Sequence, residues 1–126
     1  MTSKISPTTT RYFLDSLSRM ADSAAIVVIA PHVRRVEGEG RATIPPHIAA
    51  WIDTLAQRRP VIVASFGNPY LIRQFPSVRS YMVTFGVGDD LEKSAAAAMF
   101  GLQPITGRTP VSLPGFFMMG DGIQRP

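Results

Sequence analysis

Val61-Ile62-Val63-Ala64-Ser65-Phe66-Gly67-Asn68-Pro69 is the stretch that decides the fold of this chain. Its first six residues form a largely apolar run, rich in β-branched side chains, in which polar and apolar positions do not alternate. Such a run favours a strand that is covered on both faces, as in a parallel sheet. Gly67 and Asn68 tolerate positive φ and Pro69 fixes the next turn, so the strand is predicted to end there.

Two similar runs lie on either side of this strand in the sequence. Residues 25–30 and 81–85 are also apolar and rich in β-branched or aromatic side chains. We therefore expect three parallel strands near 26–30, 61–66 and 81–85. Because segments with helical periodicity alternate with these runs, the sequence predicts an α/β fold. The expected architecture is three-layered, with a mainly parallel open sheet of the flavodoxin-like or Rossmann-like kind.

Helical periodicity marks three segments beside these runs. Apolar residues recur there every three or four positions, which is the spacing of one helix face. We predict helices over 11–23, 46–58 and about 90–100. Their apolar faces carry, in turn, Phe13, Leu17, Met20, Ala21 and Ala24; Ile48, Trp51, Ile52, Leu55 and Ala56; and Leu91, Ala95, Ala98, Met99 and Leu102.

Capping and turn residues indicate where these elements begin and end. Thr43 is a candidate N-cap of the second helix, because a proline suits the first turn that follows it. Asp89 or Asp90 is expected to cap the third helix, and Gly101 to end it. Residues 70–75 predict a short helical turn, and 111–113 are a candidate short strand.

Length and composition favour a single domain. The chain has 126 residues, with 45% hydrophobic and 17% charged residues, which are globular values. We expect residues 1–10 to be a flexible leader and 11–126 to be one α/β domain. No apolar run approaches the ~20 residues that span a bilayer, and no signal peptide is recognisable. With no cysteine there is no disulfide framework, and the compartment stays open.

The net charge of +4 raises the question of nucleic-acid binding. A phosphate-binding surface normally shows clustered basic residues with aromatic side chains between them. Here the basic residues are spread along the chain, and only Arg34-Arg35 and Arg58-Arg59 are adjacent. We therefore expect no nucleic-acid partner.

Two motifs point to a known family. Gly67-Asn68-Pro69-Tyr70 follows an apolar strand, and Gly107-Arg108-Thr109-Pro110-Val111 follows an Ala-rich helix that ends in Phe100-Gly101. In this order they resemble the C-terminal α/β domain of family 3 glycoside hydrolases, in the β-N-acetylhexosaminidase or N-acetylglucosaminidase branch. The strand at 25–30 and the loop after it are similar to the family's in position and character. The resemblance covers about residues 11–120, with departures at Phe85 and at Asp89-Asp90.

The resemblance implies an accessory role. In this family the nucleophile is an aspartate on a (β/α)₈ barrel, which this chain does not contain. We expect the chain to pack on such a barrel and to cover its sugar site, to meet carbohydrate only in that context, and to be inactive alone. No cofactor, metal or membrane is implied. Two alternatives stay open, a free-standing non-catalytic interaction module and a small-ligand-binding α/β domain.

Candidate site residues follow from the sheet. Open α/β sheets bind ligands beyond the carboxyl ends of their strands, so the crevice should be lined by residues 32–41, 67–70 and 86–90. In the family's β-glucosidase branch the acid is a glutamate on the first of these loops, but Glu37 and Glu39 match no motif there and fit solvated carboxylates. His32 and His47 are too few for a metal site. The candidates for the substrate rim are Arg34, Arg35, Glu37, Glu39, Arg41, Asn68 and Tyr70.

Self-association is the last expectation. The family's domain has a larger sheet than these residues supply, so the strand at 26–30 should have an unpaired edge. Unpaired edges are templates for pairing with another chain, and the apolar residues 116–119 would add an interaction surface. We expect a homodimer of the isolated chain. The alternative is that the helix at 11–23 covers the edge.

Overall fold

A computed structural model describes residues 3–6, 8–32, 44–85 and 88–124 of the chain. Within them, helices alternate with strands from one end to the other, apart from an irregular tail after residue 102. The elements are α1 (Arg11–Ala21), β1 (Val27–Ile29), α2 (Pro46–Arg58), β2 (Val61–Phe66), a 3₁₀ helix (Leu71–Gln74), β3 (Ser80–Thr84) and α3 (Asp89–Met99).

The three strands form one parallel sheet in the order β1-β2-β3. Val27 lies opposite Val61 across the first pair, and Ile62 lies opposite Ser80 across the second. The predicted α/β fold with its parallel open sheet is therefore confirmed. Placing the longest strand at the centre explains why the run 61–66 has the clearest buried pattern of the three.

Helices cover the sheet on two sides, which gives three layers. On one side α1, α2 and the 3₁₀ helix enclose the larger part of the core, built around Ile52, Leu55, Val63 and Phe75. On the other side α3 packs on β2 and β3, where Ala95 meets Ala64 and Phe66. Ile5, within the expected leader, also lies partly buried against the larger core.

Helix α1 buries only part of the apolar face that the sequence predicts, namely Ala21 and the partly buried Leu17. Its buried residues are Leu14 and Ala21, whereas Phe13 and Met20 are 41% and 39% exposed. Ser18 belongs to the inward face, because its hydroxyl accepts a hydrogen bond of 2.7 Å from Trp51 Nε1 on α2. A polar residue in the buried stripe hides that stripe from a search for apolar spacing. The helix also ends at Ala21, two residues earlier than predicted.

Strand β1 is shorter and less covered than predicted. It spans only three residues, and Ile26 and Val28 remain 49% and 51% exposed. The prediction that this run is covered on both faces is wrong, while the same prediction for β2 is confirmed. The difference arises because β1 lies at the edge of the sheet and α3 packs on β2 and β3 instead.

The ends of the other two helices differ in detail from the prediction. Helix α2 has the predicted bounds and begins after Pro45, and Thr43 lies outside the described residues. Gly88 precedes α3 without a side-chain cap, so neither Asp89 nor Asp90 is the N-cap. Both carboxylates instead lie in the first turn, where the helix dipole favours negative charge.

The C-terminal end of α3 matches the predicted stop. Gly101 has φ +73, and Leu102 N donates to Ala97 O at 2.8 Å, which closes the helix. Leu91 and Leu102, however, are 36% and 80% exposed. The predicted apolar face is therefore buried only in its middle, at Ala95 and Ala98.

The tail folds back on itself without adding a strand to the sheet. Residues 111–113, the candidate strand, form only one bridge, between Leu113 and Phe117. Leu113 is nevertheless buried in the larger core. Thr109 exchanges backbone hydrogen bonds with Gly120 and Asp121, each 2.8 Å long, so the Gly-Arg-Thr-Pro-Val motif forms one side of a closed loop.

Candidate functional site

The three strands end at one edge of the sheet, and the candidate site lies there. Asn68 and Tyr70 follow β2 at this edge. The remaining rim candidates, Arg34, Arg35, Glu37, Glu39 and Arg41, lie outside the described residues. The described part of the site is therefore the turn after β2, the carboxyl ends of β1 and β3, and the first turn of α3.

Gly67 starts the turn after β2 in a conformation that favours glycine. Its φ is +95, and its backbone N–H donates to Thr84 O at 2.8 Å. A side chain at positive φ clashes with the backbone, which costs roughly 1–2 kcal/mol. The predicted strand end at Gly67-Asn68-Pro69 is confirmed, and this turn is tied to the end of β3.

Two hydroxyl groups, one on a buried side chain and one on a partly buried side chain, hold the same turn. Ser65 is 1% exposed, and its Oγ donates to Asn68 O at 2.5 Å. The hydroxyl of Tyr81 donates to Asn68 O at 3.3 Å and to Pro69 O at 3.2 Å. Burial raises the pKa of Tyr81, because the phenolate would lose its hydration. This network fixes the backbone at the carboxyl end of the central strand.

Asn68 and Tyr70 have different roles in the turn. Asn68 Oδ1 accepts from Tyr70 N at 2.9 Å, which is the geometry of an Asx turn. Tyr70 is 39% exposed, and the guanidinium carbon of Arg73 lies 5.8 Å from the centre of its ring. Asn68 therefore shapes the backbone, while Tyr70 presents an aromatic ring to whatever lies at this edge.

A histidine–glutamate pair joins the end of β1 to the start of α3. His32 Nε2 lies 2.9 Å from Glu92 Oε1, and both side chains are 47% exposed. Nδ1 of His32 lies 3.0 Å from Ala30 O, to which it donates. The imidazole also stacks on Phe66, with ring centres 4.7 Å apart. The ring of His32 is held on three sides.

Sequence reasoning missed this pair. The residues lie 60 positions apart. The sequence places His32 in the crevice lining without a partner, and Glu92 is not singled out. The available signal was positional, since His32 follows the first strand and Glu92 lies in the first turn of the helix after the third. Parallel strands bring those two places to the same edge.

Three of the described carboxylates lie at this edge, on the first turn of α3. Retaining glycoside hydrolysis needs two carboxyl groups about 5 Å apart. Glu92 is engaged with His32, while Asp89 and Asp90 lie exposed in the first turn of α3. Within the described ranges no three His, Cys, Asp or Glu side chains could hold a metal ion together. None of the helices in this part of the chain is long and apolar enough to cross a bilayer.

Comparisons of the chain with protein-family models, with curated proteins and with solved structures find no match. Any statement about function therefore depends on the motifs and on the geometry of the described residues.

Proposed function

We propose that the chain is the C-terminal accessory domain of a β-N-acetylhexosaminidase-type glycoside hydrolase, and that it packs on a catalytic barrel and covers its sugar site. The motif resemblance supports the family, and the parallel sheet agrees with the expected fold. The observation that carries the docking role is the apolar surface that remains open along β1.

This β1 surface consists of Ile26 and Val28. Both are about half exposed, although Ile62 on the neighbouring strand is largely covered. Fully burying such side chains contributes about 1.5–3 kcal/mol each. A partner that completes their burial would gain part of this free energy, which is the usual basis of a docking surface.

A second apolar surface lies on the tail. Phe116, Met118 and Met119 are 43%, 61% and 69% exposed, although their neighbour Phe117 packs on the core. A barrel that contacts this tail surface would bury one aromatic and two flexible thioether side chains. Both surfaces are available to the proposed barrel, and Tyr70 at the carboxyl edge supplies the ring that would face the sugar.

The test is binding between this chain and a family 3 N-acetylhexosaminidase barrel from the same genome, produced as a separate polypeptide. Titration calorimetry should give a saturable complex. Val28→Glu should weaken it at least about tenfold, because the carboxylate loses water at the interface. Ser94→Glu, which adds the same charge on the exposed side of α3, is the matched control. No binding, or equal binding by Val28→Glu, would count against the proposal.

A second function is favoured by the His32–Glu92 pair, namely binding of a small ligand at the carboxyl edge. Glu92 offers a carboxylate beside the fixed imidazole of His32. The exposed rings of Tyr70 and Phe85 offer aromatic faces. Titration with N-acetylglucosamine, followed by amide NMR shifts, separates the two functions. Saturable shifts confined to this edge and lost in Tyr70→Ala support the ligand site, and unchanged spectra exclude it for that sugar.

A further inference from the structure

A groove runs between α1 and α2 and has a volume of about 760 Å³. Polar contacts bridge it at both ends. Near the start of both helices, His47 Nε2 lies 3.1 Å from Thr9 O, and near their ends Arg58 lies 3.5 Å from Asp22. The two helices therefore run in the same direction, and the groove follows them for roughly 17 Å, the length of α1. Its volume lies in the range of small-molecule sites.

The floor of the groove is formed by Trp51 together with Leu14 and Leu55. Both leucines are buried, and Trp51 packs against the larger core. Trp51 Nε1 donates a hydrogen bond of 2.7 Å to Ser18 Oγ on the opposite helix, which holds the indole in one orientation. The floor is therefore already ordered before a ligand binds, and this lowers the entropic cost of binding.

Polar side chains with both signs of charge surround this floor. Asp15 and Arg19 lie one turn apart on α1 and Thr54 lies on α2, and all three are exposed and line the groove. The Asp15 carboxylate has no hydrogen-bond or ion-pair partner among the described residues, so both of its oxygens are available. A carboxylate and a guanidinium each present several polar atoms in one plane, which suits neighbouring hydroxyl groups on a ring.

This mixture of charges favours a neutral ligand. A small anion beside Arg19 would also lie near Asp15, and a small cation beside Asp15 would lie near Arg19, so repulsion offsets attraction. Hydroxyl groups avoid this conflict, because they donate to a carboxylate and accept from a guanidinium. We propose that the groove binds a neutral oligosaccharide, with the flat C–H face of one sugar ring on Trp51 and hydroxyl groups of that ring on Asp15, Arg19 and Thr54.

The length of the groove favours a chain of sugars over a single ring. Trp51 lies between the contacts made by His47 and Arg58 at the two ends, so further rings can extend on both sides of the ring that it carries. The inference does not rest on the proposed function, whose docking surfaces lie on β1 and on the tail. It gives the isolated chain a contact with carbohydrate that needs no barrel.

The chain contains a single tryptophan, which makes the site directly observable. The fluorescence of Trp51 and its indole N–H signal in NMR therefore report on the groove alone. Titration with cellotriose and with tri-N-acetylchitotriose to millimolar concentration should change both signals saturably for at least one sugar. The absence of a saturable change with either sugar would overturn the proposal, whether or not the chain binds a barrel.

A matched pair of variants locates the contact. Asp15→Asn should weaken binding about tenfold, because it removes charge-assisted hydrogen bonds to the sugar. Asp90→Asn makes the same change at an exposed position on α3 and should bind as the unmodified chain does. Equal affinities of Asp15→Asn and the unmodified chain, or equal weakening by the two variants, would contradict the site.

Charged chains of the same number of units test the preference for a neutral ligand. Trigalacturonate is anionic and triglycine is zwitterionic, and both should bind more weakly than the neutral trisaccharide. Tighter binding of either one, followed by the same Trp51 signals, would show that the groove serves a charged ligand and would overturn the proposal.

Discussion

At the residue scale, one carbonyl group organises the candidate site. Asn68 O accepts hydrogen bonds from both Ser65 and Tyr81, so two side chains on neighbouring strands converge on the same atom. A buried carbonyl without a donor costs about 1–3 kcal/mol. The turn is thus held by the positive φ of Gly67 and by the hydroxyl groups of Ser65 and Tyr81.

The Tyr81 hydroxyl should make stability fall at alkaline pH. Its pKa is raised by burial, so the folded chain keeps this proton to higher pH than the unfolded chain does. The free energy of unfolding should therefore decrease from about pH 10 upward. Tyr81→Phe should remove that part of the decrease, and should cost about 1 kcal/mol at neutral pH through the lost hydrogen bonds.

Urea denaturation of both proteins between about pH 9 and pH 11 measures the difference. Tyr12→Phe, which removes an exposed hydroxyl from α1, is the control. Identical slopes for the unmodified chain and Tyr81→Phe would contradict the role of burial.

Single residues differ in how well the sequence predicts them. Gly67 and Gly101 were predicted correctly as the ends of a strand and of a helix, because glycine tolerates positive φ whatever surrounds it. His32 and Glu92 were not, since their contact depends on which strand ends meet. Ser18 was missed for a related reason, because only the position of Trp51 makes a partly buried serine favourable.

At the element scale, β1 and β2 have similar sequences but differ in how far their side chains are buried. Both runs are apolar and rich in valine and isoleucine, yet Val63 is fully buried while Val28 is half exposed. Hydrophobicity predicts that each run forms a strand, but the path of the chain decides which strand is central. The sequence could therefore predict the sheet and its direction, and not which face of β1 stays open.

Truncation of these two valines should have unequal effects. Val63→Ala removes two methyl groups from the core and should lower the free energy of unfolding by about 2–3 kcal/mol. Val28→Ala should cost less than about 1 kcal/mol, since its site is already half in water. Thermal or urea denaturation of the isolated chain measures both. Equal losses would mean that β1 is covered in solution, as a contact through the β1 surface would require.

At the scale of the whole molecule, the chain should have no glycosidase activity of its own. The resemblance implies that the nucleophile lies on the barrel, and Glu92 at the carboxyl edge is engaged with His32. We expect no release of aryl alcohol from aryl N-acetylglucosaminides or aryl glucosides above the rate without protein. The measurement is a discontinuous assay with repurified chain at high concentration.

A contaminating enzyme is the main alternative source of turnover. Glu37→Gln and Glu39→Gln distinguish the two sources, because the activity of a contaminating enzyme does not change with substitutions in this chain. Activity that survives repurification and disappears in either variant would contradict the accessory role.

The order of strands in the sheet has a consequence for synthesis of the protein. Each strand pairs with the next one along the chain, so β1 and β2 can associate before β3 has left the ribosome, and β3 then adds to the free edge. Both pairings join strands that are neighbours in the sequence, which keeps the closed loops short and favours rapid folding. The contact between His32 and Glu92 spans 60 residues and should form only after β3 and α3 are in place. We expect ribosome-arrested chains that expose residues up to 80 to protect β2 from proteolysis already, and complete digestion there would exclude this order.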